Sequence, residues 1–221
     1  MIIDLNLKGK QALVVGGGRE AHRKVEALLT QDCELVVVAE TVCEDISRRA
    51  REGKITLKKN RVQDGRFLME YDRLILVMAV TDDFQLNRKI VESAKQLRCY
   101  AYSADDPGVS DFSHPAVINL EDTVQIAVST GGKSPLMAKM IRQKAESIFK
   151  DLISKEDILQ IHLQDRVRKK ARDVLQSAKD RKRFLENIYY NENIRALLSR
   201  GELEEAEVLA MRLLDKHGLP D

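Results

Sequence analysis

Residues 12–29, ALVVGGGREAHRKVEALL, join an apolar strand to three consecutive glycines and then to a helix. Gly16, Gly18 and Ala21 fit the G-x-G-x-x-[GA] fingerprint, in which the first glycine makes the turn and the second lets a pyrophosphate reach the backbone. Free N–H groups and the positive end of the helix dipole favour an anion at the same place. The stretch therefore predicts a dinucleotide site, although an ordinary turn between strand and helix is the alternative.

Predicted strands and helices alternate through the first half of the chain. Residues 34–39, ELVVVA, are a continuous apolar run of the kind found in parallel strands buried on both faces, so this strand is expected beside the first one. Residues 2–7 alternate apolar and polar side chains, which predicts a short edge strand. Further strands are predicted at residues 11–15, 55–57, 73–79 and 99–103, with helices at 44–52 and 84–97. The predicted fold class is α/β, a doubly wound, Rossmann-like parallel sheet.

Polar residues at the ends of two predicted strands are candidates for cofactor contacts, because ligands of open α/β sheets bind at the carboxyl ends of strands. Glu40 lies 24 residues after Gly16, about where a carboxylate accepts hydrogen bonds from the adenosine ribose, and its charge favours NAD over NADP. A solvated acid at the start of a loop is the alternative. Thr81 either borders the cofactor or caps the next helix. The expected NAD contacts are Gly16, Gly17, Gly18, Arg19, Glu20, Glu40, Thr81 and Asp82.

The segment Asp105-Asp106-Pro107-Gly108 follows the fifth predicted strand. Its residue types suit a turn, because Pro fixes φ, Gly permits positive φ and Asp bonds its own backbone. The position at a strand end also places Asp105 or Asp106 in the ligand cleft, where a carboxylate can act as a general base. His114 is the rival base, since the ordinary histidine pKa of about 6.5 is better matched to neutral pH.

The periodicity changes near residue 115. Residues 115–119 and 123–129, joined by a turn at Glu121-Asp122, predict a β-hairpin outside the sheet. The segment TGGKSP then leads into a helix predicted at residues 136–150, with Ser134 as its N-cap and Pro135 at its first position. This helix N-terminus and Lys133 form either a second anion site or an ordinary glycine turn before a capped helix.

The C-terminal third is predicted to be helical, with Gly201 separating helices and Gly218 as a C-cap. Residues 139–184 hold 14 Lys and Arg against 7 Asp and Glu, and two basic runs lie at residues 166–172 and 179–183. Such runs are by default solvated helix faces. An anionic ligand would nevertheless favour this part of the chain.

Composition argues against several classes of protein. With 37 Lys and Arg, 35 Asp and Glu, 5% aromatic residues and no Trp, the chain lacks the basic surface and stacking residues of a nucleic-acid binder. The longest apolar run, residues 74–80, is too short to cross a bilayer, and the first residues lack the basic start of a signal peptide. Three cysteines without a C-x-x-C pair and four scattered histidines argue against a metal site. A cytoplasmic protein without nucleic-acid or membrane partners is expected.

Four segments together carry a family resemblance. They are LVVGGGREAHRKVEALL (13–29), AVTDD (79–83), DDPGVSDFSHPAVI (105–118) and IAVSTGGKSPLMAKMIR (126–142). In this order they closely resemble precorrin-2 dehydrogenase, the NAD-binding part of sirohaem synthase, over about the first 150 residues. The glycine turn is common, whereas the DDP-x-x-SDF-x-x-P and STGGKSP segments are specific. Residues 154–221 are similar to the family's small helical domain only in length, position and predicted content.

The resemblance implies removal of a hydride and a proton from precorrin-2, an octacarboxylate, to give sirohydrochlorin and NADH. Some members also insert Fe²⁺. It further implies that Asp105, two positions before the proline, is the catalytic residue. The residues that it assigns to the substrate site are Ser129, Thr130, Gly131, Gly132, Lys133 and Ser134, with His114. It also implies a homodimer in which the hairpin and the next helix form the interface and each protomer completes the other's site.

The predicted organisation is an NAD-binding domain at residues 1–112, a dimerisation segment at 113–150 and a helical domain at 151–221. Apolar hairpin residues also predict the homodimer, because a lone two-stranded ribbon cannot keep them exposed. These residues are Val117, Ile118, Val124, Ile126 and Val128. The chain departs from the family at Tyr102, Glu20 and Glu40, where Asn, an apolar residue and Pro are usual. The alternative function is an NAD(H)-sensing regulatory module, which needs no base at Asp105.

Overall fold

A five-stranded parallel sheet with helices on both faces forms the first half of the chain. The structure, a computed structural model, describes residues 2–217, apart from the side chains of residues 216 and 217. The strands are β1 (Gln11–Val15), β2 (Glu34–Ala39), β3 (Thr56–Lys59), β4 (Leu74–Ala79) and β5 (Tyr100–Ser103), in the order β3-β2-β1-β4-β5. The helices are α1 (Arg19–Leu29), α2 (Glu44–Arg51) and α3 (Phe84–Gln96), with a 3₁₀ turn at Arg66–Glu70. The predicted doubly wound α/β fold is confirmed.

Successive side chains of a strand point to opposite faces of the sheet. Here both faces are buried, because helices cover each of them. In β1, Ala12 and Val14 pack in the core that also contains Val25 of α1. Leu13 packs on the other face, in the core that contains Ile90 of α3. This explains why β1, β2 and β4 are continuous apolar runs, as parallel strands covered on both faces must be.

One predicted strand is wrong. Residues 2–7 alternate apolar and polar side chains, yet they form no strand. Residues 2–6 are exposed, and Leu7 alone enters the core. An alternating segment forms a strand only if its backbone can pair with the edge of a sheet. Residues 2–7 pair with neither edge strand, β3 nor β5.

A β-hairpin and a long helix follow the sheet. Strands β6 (Ala116–Leu120) and β7 (Val124–Val128) pair antiparallel, with Leu120 opposite Val124. Glu121 and Asp122 at the turn have φ values of 50° and 51°, as a tight hairpin turn requires. Helix α4 (Pro135–Leu152) follows and packs on both strands. The predicted hairpin, its turn and the helix after it are confirmed.

The remaining described residues form helices with their own apolar core. They are α5 (Lys155–Val174), α6 (Ala178–Tyr190), α7 (Glu192–Ser199) and α8 (Leu203–His217). The core runs from Leu163 of α5 to Leu214 of α8 and includes Phe184 of α6. Gly201, with a φ of 83°, separates α7 from α8 as predicted. Gly218, the predicted C-cap, lies outside the described residues.

The chain divides into two compact units by Cα proximity. One unit comprises the residues up to Pro115 together with Gly131–Lys133, and the other comprises Ala116–Thr130 and the chain from Ser134 onwards. The three-part division at residues 112 and 150 stays a prediction. None of the helices within residues 2–217 combines the length and apolar character that a membrane crossing needs.

Candidate functional site

The three glycines after β1 are required for different reasons. A Cβ on Gly16, whose φ is 131°, would collide with the backbone carbonyl of Val80, and one on Gly17 would collide with that of Thr41. A Cβ on Gly18 would meet no protein atom within 4 Å. Packing inside the protein therefore explains the first two glycines. The open space at Gly18 leaves room for a ligand that approaches the backbone.

Gly18 is also the N-cap residue of α1, and no side chain caps this helix end. His22 N–H donates to the Gly18 carbonyl at 3.0 Å, so the helical bonds begin there and the N–H groups before it have no intrahelical acceptor. Arg19 is exposed, and Glu20 pairs with Arg23 and Lys24. Such a helix end stabilises an anion through its N–H groups and its dipole.

The glycine turn lies at the topological switch point of the sheet. Neighbouring strands β1 and β4 are followed by crossovers to opposite faces, and crevices of open α/β sheets form at this point. Val15 at the end of β1 pairs with Ala79 at the end of β4. Gly16 and Thr81, which follow these two strands, therefore border the same crevice.

Asn87 connects the Thr81 corner to Asp105. This α3 side chain is fully buried, and its Oδ1 accepts from the Thr81 hydroxyl at 2.7 Å and the Thr81 N–H at 3.1 Å. Its Nδ2 donates to the Thr81 carbonyl at 3.0 Å and to Asp105 Oδ1 at 2.7 Å. Asp83, rather than Thr81, caps α3 by accepting from Leu86 N–H at 3.0 Å. Thr81 is thus held by Asn87, and Asp82 beside it is exposed.

The two adjacent aspartates have different environments. Asp105 Oδ1 accepts from the buried Ser103 hydroxyl at 2.8 Å as well as from Asn87, while Oδ2 makes no hydrogen bond with the described residues. Asp106 Oδ1 accepts from Gly108 N–H at 2.9 Å and so closes the turn. The turn interpretation therefore applies to Asp106. Asp105 is exposed and carries an unengaged oxygen at the end of β5.

Glu40 stands where expected, directly after β2, but it has a cationic neighbour. Arg61 Nε lies 3.7 Å from Glu40 Oε2, and both side chains are exposed. Asn60 N–H bonds the Ala39 carbonyl at 3.1 Å, which brings the residues after β3 beside the end of β2. A carboxylate and a guanidinium therefore share the sheet edge where the fingerprint expects the adenosine ribose.

A buried lysine organises a second cluster around His114. Lys24 of α1 is 7% exposed, pairs with Glu20 at 3.2 Å and lies 4.4 Å from the ring centroid of Tyr102. The His114 and Phe112 rings both pack against the Tyr102 ring. His114 keeps exposed surface, yet desolvation beside the rings, followed by the charge of Lys24, lowers the pKa of His114 below its ordinary value. This direction reduces the basicity that favoured His114 over a carboxylate as the base.

The second glycine turn is satisfied by its own side chains. The Ser134 hydroxyl accepts from Met137 N–H at 3.2 Å, and the Thr130 hydroxyl accepts from Ser134 N–H at 3.0 Å. Pro135 occupies the first helical position, as predicted. These contacts match the capped-helix alternative rather than a second anion site. The assignment of Ser129, Thr130, Gly131, Gly132, Lys133 and Ser134 to a substrate site stays a prediction.

Sequence reasoning missed Asn87, Ser103, Lys24 and Arg61. Asn87 carried no local signal, because it reaches Asp105 from α3, whereas Ser103 lies only two residues before Asp105 at the end of β5. Lys24 sits at a helix position where a surface lysine would be assumed. Within residues 2–217 no cluster of three or more His, Cys, Asp or Glu side chains is arranged to hold a metal ion.

Two families of proteins match the chain. The family described as "Putative NAD(P)-binding" matches residues 3–116, just over half of the chain. The family described as "Sirohaem biosynthesis protein central" matches residues 122–147, which cover β7 and most of α4.

Curated relatives and a solved structure extend the match. Siroheme synthase 2 of Aeromonas salmonicida (strain A449) is 31% identical over 95% of this chain and 42% of that protein. Siroheme synthase of Nitrosospira multiformis is 34% identical over 66% of this chain and 31% of that protein. The chain thus spans less than half the length of these relatives. A structure of SirC, precorrin-2 dehydrogenase, shares the fold, with a TM-score of 0.66 and 22% identity over 98% of this chain and 99% of that one.

Proposed function

Because the chain belongs to the putative NAD(P)-binding family, we propose that it is an NAD-dependent dehydrogenase that converts precorrin-2 to sirohydrochlorin. The names of its relatives and of its structural neighbour indicate the substrate. The observation that carries the proposal is the Thr81–Asn87–Asp105 network, which ties a carboxylate with one unengaged oxygen to the switch-point crevice.

The residues at the glycine turn fit a dinucleotide. Gly18 leaves open space beside an uncapped helix end, which suits a diphosphate, whereas Gly16 and Gly17 shape the turn. Thr81 borders the same crevice on the β4 side. When bound, NAD supplies a two-electron acceptor that takes up a hydride.

Asp105 is proposed to accept the proton that the substrate loses. Ser103 and Asn87 both donate to Oδ1, so they fix the rotamer of the carboxyl group. Oδ2 is left to receive a proton from a carbon of precorrin-2, while the two electrons of another C–H bond leave with the hydride. One substrate molecule therefore yields sirohydrochlorin, NADH and one proton. Asp106 has no such role, because its carboxylate closes the turn.

We propose that the remaining predicted site residues contact substrate or cofactor. Glu40 would accept hydrogen bonds from the ribose and favour NAD over NADP, with Arg61 weakening the discrimination because a guanidinium can accommodate a 2′-phosphate. The exposed Lys133 suits a carboxylate of the substrate. His114 would contact the substrate, because its lowered pKa makes it a weaker base than an ordinary histidine.

We also propose a homodimer. Of the five hairpin residues expected at the interface, only Val117 is exposed, and Ile118 is fully buried within the chain. The exposed apolar surface lies on α4 instead, at Leu136, Met137, Met140, Ile141, Ile148 and Leu152. Apolar side chains repeating along one helix support a partner on this face. A monomer mass by sedimentation at micromolar concentration would disprove the dimer.

The proposed organisation keeps the NAD-binding domain at residues 1–112, the dimerisation segment at 113–150 and the helical domain at 151–221. A cytoplasmic location is proposed because Cys33, Cys43 and Cys99 are all free thiols, which suits a reducing compartment.

The test is turnover by the pure protein. Precorrin-2 with NAD⁺ should give the absorption spectrum of sirohydrochlorin together with stoichiometric NADH. Adding Fe²⁺ tests metal insertion in the same experiment. NAD⁺ binding without any turnover would overturn the proposal and favour the regulatory module.

A further inference from the structure

Two basic runs that the proposed dehydrogenation does not use meet at one groove in the helical unit. The groove, called the α5–α6 groove below, has a volume of about 910 Å³. Arg168 and Arg172 line it from the first run, and Arg181 and Lys182 line it from the second. The runs are separated in sequence and lie on different helices. The fold brings part of each to the same concave surface.

The walls of the α5–α6 groove are apolar and aromatic as well as basic. Ile161 of α5 and Leu185 of α6 contribute aliphatic surface. Tyr189 and Tyr190 line the groove with large exposed areas, and their rings meet edge to face at 4.9 Å. An exposed aromatic pair beside aliphatic side chains is a surface on which a flat apolar molecule can stack.

The acidic residues of the groove are already engaged by the protein. Asp157 belongs to the capping box with Ser154, Asp165 pairs with Lys169 at 2.7 Å, and Glu186 lies 3.7 Å from Lys182. In contrast, Arg172 makes no hydrogen bond or ion pair with any residue in the described range, and Arg168 interacts with Asp165 only through its charge, which helps to lower the pKa of Asp165. Two guanidinium groups are therefore available to an external anion.

Arg181 is already fixed in place. Its Nη1 donates to the Leu175 and Gln176 carbonyls, each at 2.8 Å, and so anchors this side chain at the C-terminal end of α5. A cation held in this way loses little side-chain entropy when a ligand binds nearby.

Gln160 gives an independent sign of a missing partner. It lines the groove, it is only 7% exposed, and its buried Nε2 has no hydrogen-bond acceptor within residues 2–217. A buried amide donor without an acceptor costs about 1–3 kcal/mol, so such groups are rare unless something outside the chain satisfies them. Neighbouring Gln164 shows the ordinary case, since its Nε2 donates to the Leu185 carbonyl at 2.9 Å.

We propose that the α5–α6 groove binds a tetrapyrrole polycarboxylate, at a site separate from the residues assigned to dehydrogenation. A flat apolar ring system with carboxylates at its periphery matches tyrosines and aliphatic walls bordered by unpaired guanidinium groups. The identity of the ligand class rests on the proposed function, whereas the site rests on the groove itself.

The probe is uroporphyrin, a stable porphyrin with eight carboxylates, titrated into the full chain at about 0.15 M salt while its main absorption band is followed. The test variant is Arg168→Glu with Arg172→Glu. The matched control is Lys179→Glu with Arg183→Glu, which makes the same change in net charge at two exposed α6 residues outside the groove. The test variant should bind at least about tenfold more weakly, because two charge-assisted contacts are lost, and the control should stay within about threefold.

A second variant separates loss of binding from loss of folding. Gln160→Leu removes the unsatisfied amide, so it should keep or raise the melting temperature while uroporphyrin affinity falls several-fold. Equal losses in the charge-reversal variant and its control would overturn the proposal by showing a non-specific charge effect. Unchanged affinity in both would overturn it too. Because uroporphyrin binding needs no NAD and no turnover, a chain that binds it in the groove but does not oxidise precorrin-2 would disprove only the proposed function.

Discussion

The first glycine turn, residues 16–18 before α1, and the second, residues 131–132 before α4, differ in how the N-terminus of the following helix is satisfied. At the first turn the N-cap of α1 is Gly18, which has no side chain, and the space around its Cα is open. At the second turn Ser134 caps α4 through Met137 N–H, and Thr130 holds Ser134. Both sequences read as glycine-rich loops before helices. Only the first leaves its helix end for an outside anion.

The difference lies in one residue type at one position. A hydroxyl at the N-cap supplies internally the oxygen that a bound phosphate would otherwise supply. Glycine at the N-cap gives up that internal bond, which makes sense where a ligand replaces it. We therefore propose the cofactor at the first turn, and the second turn is left to the substrate contact proposed for Lys133.

The largest expected effect concerns the base beside the first turn. If the cofactor binds at the β1–β4 crevice, the proton acceptor must lie at the same sheet edge, where Asp105 is held by Asn87 and Ser103. Asp105→Asn keeps the shape but removes the charge, so kcat should fall about 10²- to 10⁴-fold with NAD affinity nearly unchanged.

Asp106→Asn is the matched control for that variant. Its carboxylate closes the turn at Gly108, so the substitution should change kcat far less. Near-normal turnover in Asp105→Asn, with loss of turnover in His114→Ala, would move the base to the histidine.

The next effect separates the second turn from cofactor binding. Ser134→Ala removes the cap on Met137 N–H and should lower the free energy of unfolding by about 1 kcal/mol. Thermal or denaturant unfolding measures this loss. NAD affinity should stay within twofold of the wild type, and a large drop would show that the second turn also serves the cofactor.

The smallest effect tests the ribose end of the first site. Glu40→Gln removes the charge that disfavours a 2′-phosphate, so NADP affinity should rise several-fold relative to NAD affinity. The rise is small because Arg61 already offsets part of that charge. Competition binding of the two cofactors measures the ratio, and an unchanged ratio would make Glu40 a solvated acid.

Local chemistry made most of the fold predictable from the sequence. The glycine turn, the apolar strands, the hairpin turn at Glu121-Asp122 and the cap at Ser134 each depend on residues close together in the chain. Alternation failed at residues 2–7, because a strand also needs a sheet edge to pair with.

The candidate site was predictable only where a residue follows a strand. Asp105 and Thr81 could be placed at strand ends, but the Asn87 side chain that joins them comes from inside a helix. Nothing in the local sequence separates Asn87 from an ordinary polar helix residue. Lys24 could not be identified for the same reason, because it packs against Tyr102 of β5, which is distant in the sequence.

NAD binding at the first turn and not at the second can be tested directly. NAD is titrated by calorimetry into the wild type, Gly18→Leu and Gly132→Leu, with the melting temperature of each recorded. A Cβ at either position meets no protein atom within 4 Å. Gly132 has a φ of 79°, so Gly132→Leu adds backbone strain of about 1–2 kcal/mol and should melt lower than Gly18→Leu while still folding. We predict that Gly18→Leu lowers NAD affinity at least about 100-fold, equivalent to about 2.7 kcal/mol, whereas Gly132→Leu binds like the wild type. Unchanged affinity in a folded Gly18→Leu protein would contradict the account and place the cofactor elsewhere.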